Sequence, residues 1–242
     1  MANSYFQFKQ FIIHQDRCAM KVTTDACLFG AWVADDIKSK VDQPQHALDI
    51  GAGTGLLSLM IAQKNPALFI DAIEIDPGAA IQANENILAS PWQNQLKIIE
   101  GDIRNFPTDY SFDILISNPP FYENELNSLH PKKNLAHHSS ELAFEDLLSK
   151  TSTHLNQTGT FYLLLPYKRE AEIKKSLASY KLNISKEVYV RQSINHDFFR
   201  VMIAGKKEKV SHIVKSEISI WNEKRQYTDE FIKYLEDYYL YL

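Results

Sequence analysis

The stretch "LDIGAGTGLLSLMIA", residues 48–62, places three glycines at alternate positions between two apolar segments. The first segment is typical of a buried strand, and the apolar residues of the second recur at helical spacing. Gly51, Gly53 and Gly55 permit a positive φ and let a ligand approach the backbone closely, while the following helix offers free amide groups. The sequence therefore predicts a strand, a ligand-binding turn and a helix.

The spacing of these glycines distinguishes between classes of cofactor site. A dinucleotide site has the pattern G-x-G-x-x-G, whereas here the third glycine comes one residue early and Leu56 takes the sixth position. This spacing resembles the first motif of class I S-adenosylmethionine-dependent methyltransferases. A nicotinamide or flavin enzyme and a purely structural turn are the alternatives that the motif leaves open.

Strands and helices alternate along most of the chain. Their order indicates a parallel sheet with helices on both faces, followed by an antiparallel pair of strands. The predicted strands are residues 46–50, 68–75, 95–100, 112–117, 160–165, 184–190 and 199–205, and the helices include 54–64, 77–89 and 168–180. We expect one α/β domain with the Rossmann-like class I methyltransferase fold and a seven-stranded mixed sheet.

This single methyltransferase domain is expected to have three parts. Residues 1–45 form an N-terminal extension, residues 46–205 form the core sheet, and residues 206–242 are a C-terminal addition. The last segment, 229–242, is expected to be a helix that docks an aromatic face.

The composition indicates a packed globular chain. The 242 residues are 45% hydrophobic, with 12 Tyr and 13 Phe, and no apolar stretch is long enough to span a bilayer. No basic segment followed by an apolar one begins the chain, so we expect a cytoplasmic protein that is not membrane-bound, and a monomer. Cys18 and Cys27 do not form a C-x-x-C pair, and we interpret both as reduced thiols without a metal site.

The net charge of −4 conceals an asymmetry between the two halves of the chain. Residues 1–127 hold 8 of the 26 Lys+Arg and 16 of the 30 Asp+Glu, so the remainder is basic. Solvated surface charge is the ordinary explanation. If the partner is an RNA, its phosphates must meet the basic half, where the pairs Lys132-Lys133 and Lys206-Lys207 are candidates.

Acidic residues follow the second and third predicted strands. Glu74 lies at about the distance from the glycines at which a carboxylate accepts hydrogen bonds from ribose hydroxyls. A solvated strand-end carboxylate is the alternative. Asp76 is a weaker ribose partner because Asp76-Pro77 is typical of a helix cap. Asp102 matches the position where class I methyltransferases place a carboxylate near the exocyclic amine of the cofactor adenine.

The segment "ISNPPFYENE", residues 116–125, ends the fourth predicted strand beside the expected ligand crevice. It resembles the (N/D)-P-P-(Y/F) motif of methyltransferases that act on an amino or amide nitrogen. An exocyclic amine is a poor nucleophile because its lone pair is delocalised. The Asn118 side-chain oxygen and the Pro119 carbonyl can accept hydrogen bonds from the two N–H groups of such an amine, and Phe121 can stack on the base.

The segment "FKQFIIHQDRCAMKVTTDACLFGAWV", residues 8–33, resembles the N-terminal signature of bacterial tRNA(Val) adenine-N6 methyltransferases, which modify the adenine 3′ of the anticodon (position 37). The resemblance also covers the glycine motif, "SNPPFYEN" and the tail. It implies a valine tRNA as substrate and S-adenosylmethionine as cofactor, with Phe121 where the family commonly has Tyr. In that family the N-terminal segment, here within residues 1–45, closes over the methionine end of the cofactor, which points to Lys21, Thr24 and Asp25. The other expected cofactor contacts are Asp49, Gly51, Gly53, Gly55, Glu74, Asp102 and Asn118.

Several alternatives stay open. Thr23 or Thr24 can simply cap a helix, with Asp25 favoured by its dipole. Rival functions are a protein glutamine-N5 methyltransferase acting on a release factor and an rRNA guanine-N2 methyltransferase; the former family normally carries a separate N-terminal helical domain. His137, His138 and His154 belong to a predicted helix entry and helix, and we assign them to packing or phosphate contact rather than catalysis.

Overall fold

The computed structural model describes residues 3–38, 45–120 and 144–242 and has the α/β architecture that the sequence predicts. An eight-stranded mixed sheet carries helices on both faces, and a short hairpin precedes it. In chain order the elements are β1 (Tyr5–Gln7), β2 (Ile12–His14), α1 (Thr24–Lys38), β3 (Gln45–Ile50), α2 (Leu56–Lys64), β4 (Leu68–Glu74), α3 (Pro77–Leu88), β5 (Leu96–Glu100), β6 (Phe112–Ser117), α4 (Phe144–His154), β7 (Leu155–Pro166), α5 (Glu170–Ser179), β8 (Asn183–Ser193), β9 (Phe198–Lys206), β10 (Val214–Trp221) and α6 (Asp229–Leu235).

The strand order of the main sheet is β10-β8-β9-β7-β6-β3-β4-β5. The strands from β7 to β5 run parallel, and β9 is antiparallel to both β7 and β8. The predicted fold class and the predicted antiparallel pair are therefore confirmed. The order reverses between β3 and β6, which is where open parallel sheets bind their ligands.

The expected count of seven strands is wrong, because β10 adds an eighth in parallel to β8. Its sequence, "VKSEISIW", is exposed over the first four residues and alternates between burial and partial exposure only at the end. An edge strand of this kind lacks the continuous apolar run by which the buried strands could be recognised.

The core consists of two layers, one on each face of the sheet. Successive residues of a strand point to opposite faces, so Ala47, Ile114 and Ile116 pack towards α1 and α2, whereas Leu48 and Leu115 pack towards α4 and α5. These residues are all buried. Both faces of β3 and β6 are thus covered, which fixes the strand ends that carry the candidate site.

The C-terminal helix is shorter than the sequence predicts. It ends at Leu235 rather than continuing to residue 242, because the aromatic residues after it turn inwards. The Tyr238 hydroxyl donates to the Met60 carbonyl oxygen at 2.9 Å, and the Tyr238 carbonyl accepts from the Lys9 amide at 2.8 Å. Burial of this ring therefore overrides the helical periodicity, and it ties the C-terminal segment to both the N-terminal hairpin and α2.

His154 has the packing role predicted for it. Its side chain is buried at the end of α4, Nδ1 lies 2.9 Å from the Tyr110 carbonyl oxygen, and the ring meets Phe106 edge-on. His137 and His138 lie outside the described residues.

Gly205 provides a test of the packing between β9 and β7. A Cβ atom at this position would lie 2.3 Å from a ring carbon of Phe161 and 2.6 Å from the Asn183 carbonyl oxygen. We expect Gly205→Ala to lower the free energy of unfolding by roughly 1–3 kcal/mol or more, measured by urea denaturation. Gly101→Ala is the matched control, since its Cβ would have no neighbour within 4 Å. Equal stability of the two variants would contradict this packing.

Candidate active site

The glycine motif forms the turn between β3 and α2. Gly51, Gly53 and Gly55 have φ values of 77°, 55° and 78°, in the left-handed region that favours glycine. A Cβ at Gly51 or Gly53 would have no heavy atom within 4 Å, whereas one at Gly55 would lie 3.5 Å from the Ala83 Cβ. The first two glycines therefore border open space, and the third lets α2 begin against α3.

Glu74, the last residue of β4, is aimed at this turn. Its side chain is buried, Oε2 accepts a hydrogen bond from the Gly53 amide at 2.8 Å, and Oε1 accepts one from the Asp76 amide at 2.9 Å. A carboxylate has about four acceptor sites, so two remain for the hydroxyls of a bound ribose. Asp76 itself caps α3 by accepting from the Ala79 amide at 2.7 Å, which confirms the predicted cap.

The Asn-Pro-Pro motif lies at the end of β6, next to the glycine turn. The Ser117 hydroxyl is buried and donates to the Ile50 carbonyl oxygen at 2.8 Å, which joins the ends of β6 and β3. Asn118 follows at once, partly exposed, and Pro119 is buried. Phe121, the predicted stacking residue, lies outside the described residues.

These segments surround one cavity of about 290 Å³ at the carboxyl ends of the parallel strands. The predicted residues that line it are Gly51, Gly53, Glu74, Asp102, Asn118 and Pro119. Further lining residues, which were not predicted as site residues, are Cys18, Ala19, Met20, Ile50, Ile73, Ile75, Ala79, Gly101, Ile103, Ser117 and Pro120. The structure thus brings the cofactor motif and the acceptor motif to the same space.

The three cofactor contacts predicted in the N-terminal segment do not line this cavity. Lys21 donates from Nζ to the Gln15 carbonyl oxygen, and the Asp25 carboxylate accepts from Arg200 Nε at 2.8 Å. Thr24 begins α1, and neither it nor the other two residues lines the cavity. Contacts of Lys21, Thr24 and Asp25 with the cofactor stay a prediction.

Asp102 lines the cavity, but its carboxylate already has a partner. Arg104 donates from Nε to Oδ2 at 2.8 Å and from Nη2 to Oδ2 at 2.6 Å, and its amide donates to Oδ1 at 2.8 Å. These hydrogen bonds hold the pKa of Asp102 below its usual value, so the group is an anionic acceptor. A contact with an adenine amine must share this carboxylate with Arg104.

Asp49 lies beneath the glycine turn and does not line the cavity. Its carboxylate is fully buried and accepts from the Ser58 hydroxyl at 2.7 Å. Burial is the main reason that the pKa of Asp49 is raised to about 6; the Glu74 carboxylate acts in the same direction and the Ser58 hydrogen bond opposes both. Oδ1 has no hydrogen-bond partner among the described residues.

The residues of this site fit S-adenosylmethionine. Glycines without side-chain obstruction suit the close approach of its methionine part, and Glu74 suits its ribose. Asp49 and Glu74 place negative charge near the turn, which favours a cationic sulfonium and ammonium group. Apolar residues such as Ile73 and Ile103 offer surfaces for the adenine ring.

The basic pair Lys206-Lys207 lies at the opposite end of the sheet from this cavity. β9 is antiparallel to β7, so Phe198 begins β9 at the cavity end and Lys206 ends it on the far side. Nine residues of strand span roughly 26 Å. Lys207 also donates to the Leu155 carbonyl oxygen at 2.6 Å. Lys132 and Lys133 lie outside the described residues.

Two further findings concern the described residues as a set. No group of three or more His, Cys, Asp or Glu side chains within them is placed to hold a metal ion. None of the helices in residues 3–38, 45–120 and 144–242 is long and apolar enough to cross a membrane.

Comparison with known proteins agrees with this geometry. Residues 33–189 match the methyltransferase small domain family. A solved structure from Agrobacterium tumefaciens, described as a predicted O-methyltransferase, superimposes with a TM-score of 0.66, 16% identity and coverage of 88% of this chain and 96% of that one. The fold and the site define a class I methyltransferase that uses S-adenosylmethionine.

Curated relatives narrow the family further. A protein of Dyadobacter fermentans is 37% identical over 98% of both chains, and one of Parabacteroides distasonis is 35% identical over 99% of both. Both are named tRNA1(Val) (adenine(37)-N6)-methyltransferase. The chain belongs to this family.

Removal of the Glu74 carboxylate tests its assignment to the cofactor. We expect Glu74→Ala to lose roughly 1.5–3 kcal/mol of S-adenosylmethionine binding free energy, or about one to two decades in Kd, by calorimetry. Glu100→Ala is the control, because Glu100 lies opposite Glu74 in the register of the neighbouring strand β5, but its side chain is exposed. Wild-type cofactor affinity in a folded Glu74 variant would show that Glu74 does not bind the ribose.

The raised pKa of Asp49 predicts a pH dependence of stability. Its value of about 6 lies above the ordinary 3.8, so folding favours the protonated carboxyl. The resulting stability is present below about pH 4 and is lost as the pH rises through about 6. Asp49→Asn does not titrate, so its Tm relative to wild type should be higher at about pH 7.5 than at about pH 4.5 in calorimetry without cofactor. A difference that stays constant with pH would contradict the assignment.

Proposed function

We propose that this protein transfers a methyl group from S-adenosylmethionine to N6 of adenine 37 in a valine tRNA, with Asn118 and Pro119 as the residues that bind the acceptor amine. The observation that carries the proposal is the shared cavity: Asn118 and Pro119 line the same space as Gly51, Gly53 and Glu74. The names of the curated relatives support the choice of substrate.

The rival acceptors have less support. A glutamine amide and a guanine N2 amine also suit an Asn-Pro-Pro motif, since each presents N–H groups on a conjugated nitrogen. The relatives from Dyadobacter fermentans and Parabacteroides distasonis, which match over nearly the whole chain, are named for neither reaction. We therefore keep adenine as the acceptor and use the rivals as outcomes of the test.

The acceptor site works by position and polarity. When bound, the cofactor supplies the electrophilic methyl group. The Asn118 side-chain oxygen and the Pro119 carbonyl oxygen accept hydrogen bonds from the two N–H groups of the amine. This favours a pyramidal nitrogen with its lone pair towards the cofactor. A strong base is not required, because the S–CH3 bond breaks with its electron pair left on sulfur, the positive charge passes to the amine nitrogen as the N–CH3 bond forms, and the nitrogen can then release its proton to solvent.

The backbone keeps these two acceptors in place. Pro119 and Pro120 fix their own φ angles and hold the preceding residues in extended conformations. Ser117 anchors the start of the motif to the Ile50 carbonyl oxygen, inside the sheet. Preorganisation of this kind means that little rearrangement is needed when the amine arrives.

The RNA must reach the carboxyl ends of the strands, and the adenine must leave its stack to enter the cavity. The exposed Lys168 follows β7 directly at this end, whereas Lys206 lies at the opposite end. We infer that phosphates near the flipped adenine meet the end of the sheet that carries Lys168.

Methyl transfer to defined RNAs tests the function. Purified protein and isotope-labelled S-adenosylmethionine are incubated with transcripts of a valine tRNA carrying either A37 or G37, and nucleosides are analysed by mass spectrometry. We expect N6-methyladenosine from the A37 transcript only. Methylation of guanosine or of both transcripts would overturn the assignment. Transfer of the label to a release-factor protein in a parallel incubation, with none to the A37 transcript, would also overturn it.

Asn118→Ala separates binding from chemistry. Cofactor affinity should stay nearly unchanged, while kcat for methyl transfer falls by orders of magnitude, because the proposed role of the Asn118 side chain is to bind the acceptor nitrogen. A large loss of cofactor affinity would instead support the cofactor contact that was also expected of Asn118. Gln157→Ala removes an exposed amide early in β7, at the opposite end of the sheet, and serves as the control. A folded Asn118 variant that keeps more than about a tenth of wild-type kcat would exclude this role.

A further inference from the structure

One wall of the cofactor cavity comes from a segment that precedes the sheet. We call residues His14–Met20 the strap; it runs from the end of β2 across α3. Cys18, Ala19 and Met20 of the strap line the cavity with the glycine turn and the Asn-Pro-Pro motif. The strap is therefore part of the site although it is remote from it in sequence.

The strap buries little apolar surface of its own. Asp16, Arg17 and Ala19 are exposed, and Met20 is 54% exposed, whereas Cys18 is buried. A segment with so few apolar contacts has low local stability unless other interactions hold it. Its position in the structure must consequently depend on hydrogen bonds.

Asn86 on α3 holds the beginning of the strap. Its Oδ1 accepts from the His14 amide at 2.9 Å, and its Nδ2 donates to the His14 carbonyl oxygen at 2.9 Å. Nδ2 also donates to the carbonyl oxygen of Thr54, within the glycine turn, at 2.9 Å. One side chain with 1% exposure thus joins the strap directly to the cofactor-binding turn.

Gln82, one helical turn earlier on α3, holds the middle of the strap. Its Oε1 accepts from the Arg17 amide at 2.9 Å, and its Nε2 donates to Asp16 Oδ1 at 2.8 Å. Gln82 is also only 1% exposed. Residues four apart lie on the same face of a helix, so the two amides form a pair of fixed attachment points along the strap.

We propose that Gln82 and Asn86 are positioning residues for the cofactor, which keep the strap closed against the cavity and aligned with the glycine turn. Neither residue lines the cavity, and both act through Cys18, Ala19 and Met20, which do. The inference rests on the proposed function only in that the cavity binds S-adenosylmethionine; it does not depend on the identity of the RNA.

Kinetics distinguish this role from a contribution to folding alone. Gln82→Ala and Asn86→Ala should raise the KM and the Kd for S-adenosylmethionine about tenfold, the effect of losing one or two hydrogen bonds, with kcat at saturating cofactor within about twofold. The control is Asn65→Ala. Asn65 is a buried asparagine that donates from Nδ2 to the Ala34 and Ile61 carbonyl oxygens and does not touch the strap. Unchanged cofactor affinity in a folded Gln82 variant would overturn the proposal.

The two cysteines of the chain provide a second, structural readout. Cys18 lies in the strap and Cys27 is fully buried in α1; burial raises the pKa of Cys18 to about 11 and makes it a slow nucleophile. With iodoacetamide and mass spectrometry, S-adenosylhomocysteine should protect Cys18 of the wild type. In Gln82→Ala, Cys18 should react about tenfold faster, while Cys27 stays unmodified, because only the strap is released.

Each other outcome overturns the proposal. If Cys27 reacts in step with Cys18, the substitution loosens the whole core, and the amides are structural only. If S-adenosylhomocysteine gives no protection in the wild type, the strap does not border the bound cofactor, a result that stands even if Asn86→Ala fails to fold. A negative tRNA assay would not change the measured cofactor affinity or the alkylation rate of Cys18. Failure of the proposed RNA substrate can therefore be distinguished from failure of the proposed role of Gln82 and Asn86.

Discussion

The parallel pairing of β3 with β6 is the constraint on which the site depends. β3 leads on to β4 on one side and β6 leads on to β7 on the other, so the chain leaves the two strands in opposite directions and opens a crevice between them. The Ser117 to Ile50 hydrogen bond holds the two strand ends together at the floor of this crevice. Because both faces of the pair are buried, neither strand can shift without disrupting a core layer.

Around this pair the structure builds the site in successive layers. Glu74 fixes the glycine turn through the Gly53 amide, and Asn86 fixes the same turn through the Thr54 carbonyl oxygen. Asn86 and Gln82 also hydrogen-bond to the strap and hold it in place, and the strap forms another wall of the cavity. Reaction chemistry at such a site needs few reactive groups, since the work lies in holding a methyl donor and an amine in one geometry.

The sequence predicted the parts of the fold and site that depend on local pattern. Buried strands such as 112–117 are continuous apolar runs, and the left-handed turn can be read from the glycine spacing. The edge strand β10 was missed because half of it is solvated, and the helix at 229–242 was overextended because ring burial at Tyr238 interrupts it.

The hydrogen bonds that hold the strap were beyond prediction for a different reason. In the sequence, Gln82 and Asn86 are ordinary polar residues of an amphipathic helix, and their partners in the strap are 65 to 72 positions away. Cys18, Ala19 and Met20 carry no pattern of a binding site. The family resemblance covered this segment and implied that it closes over the cofactor. It pointed, however, to side chains just after the strap, of which Lys21 and Asp25 take part in other contacts in this structure.

The central claim is that one cavity holds the cofactor beside an acceptor amine bound by Asn118 and Pro119. A crystal structure of the protein with S-adenosylhomocysteine and the anticodon stem-loop of a valine tRNA measures this directly. The account predicts that N6 of the flipped adenine lies about 3 Å from both the Asn118 side-chain oxygen and the Pro119 carbonyl oxygen, facing the cofactor sulfur. An adenine bound in the cavity with N6 turned away from both oxygens would contradict it.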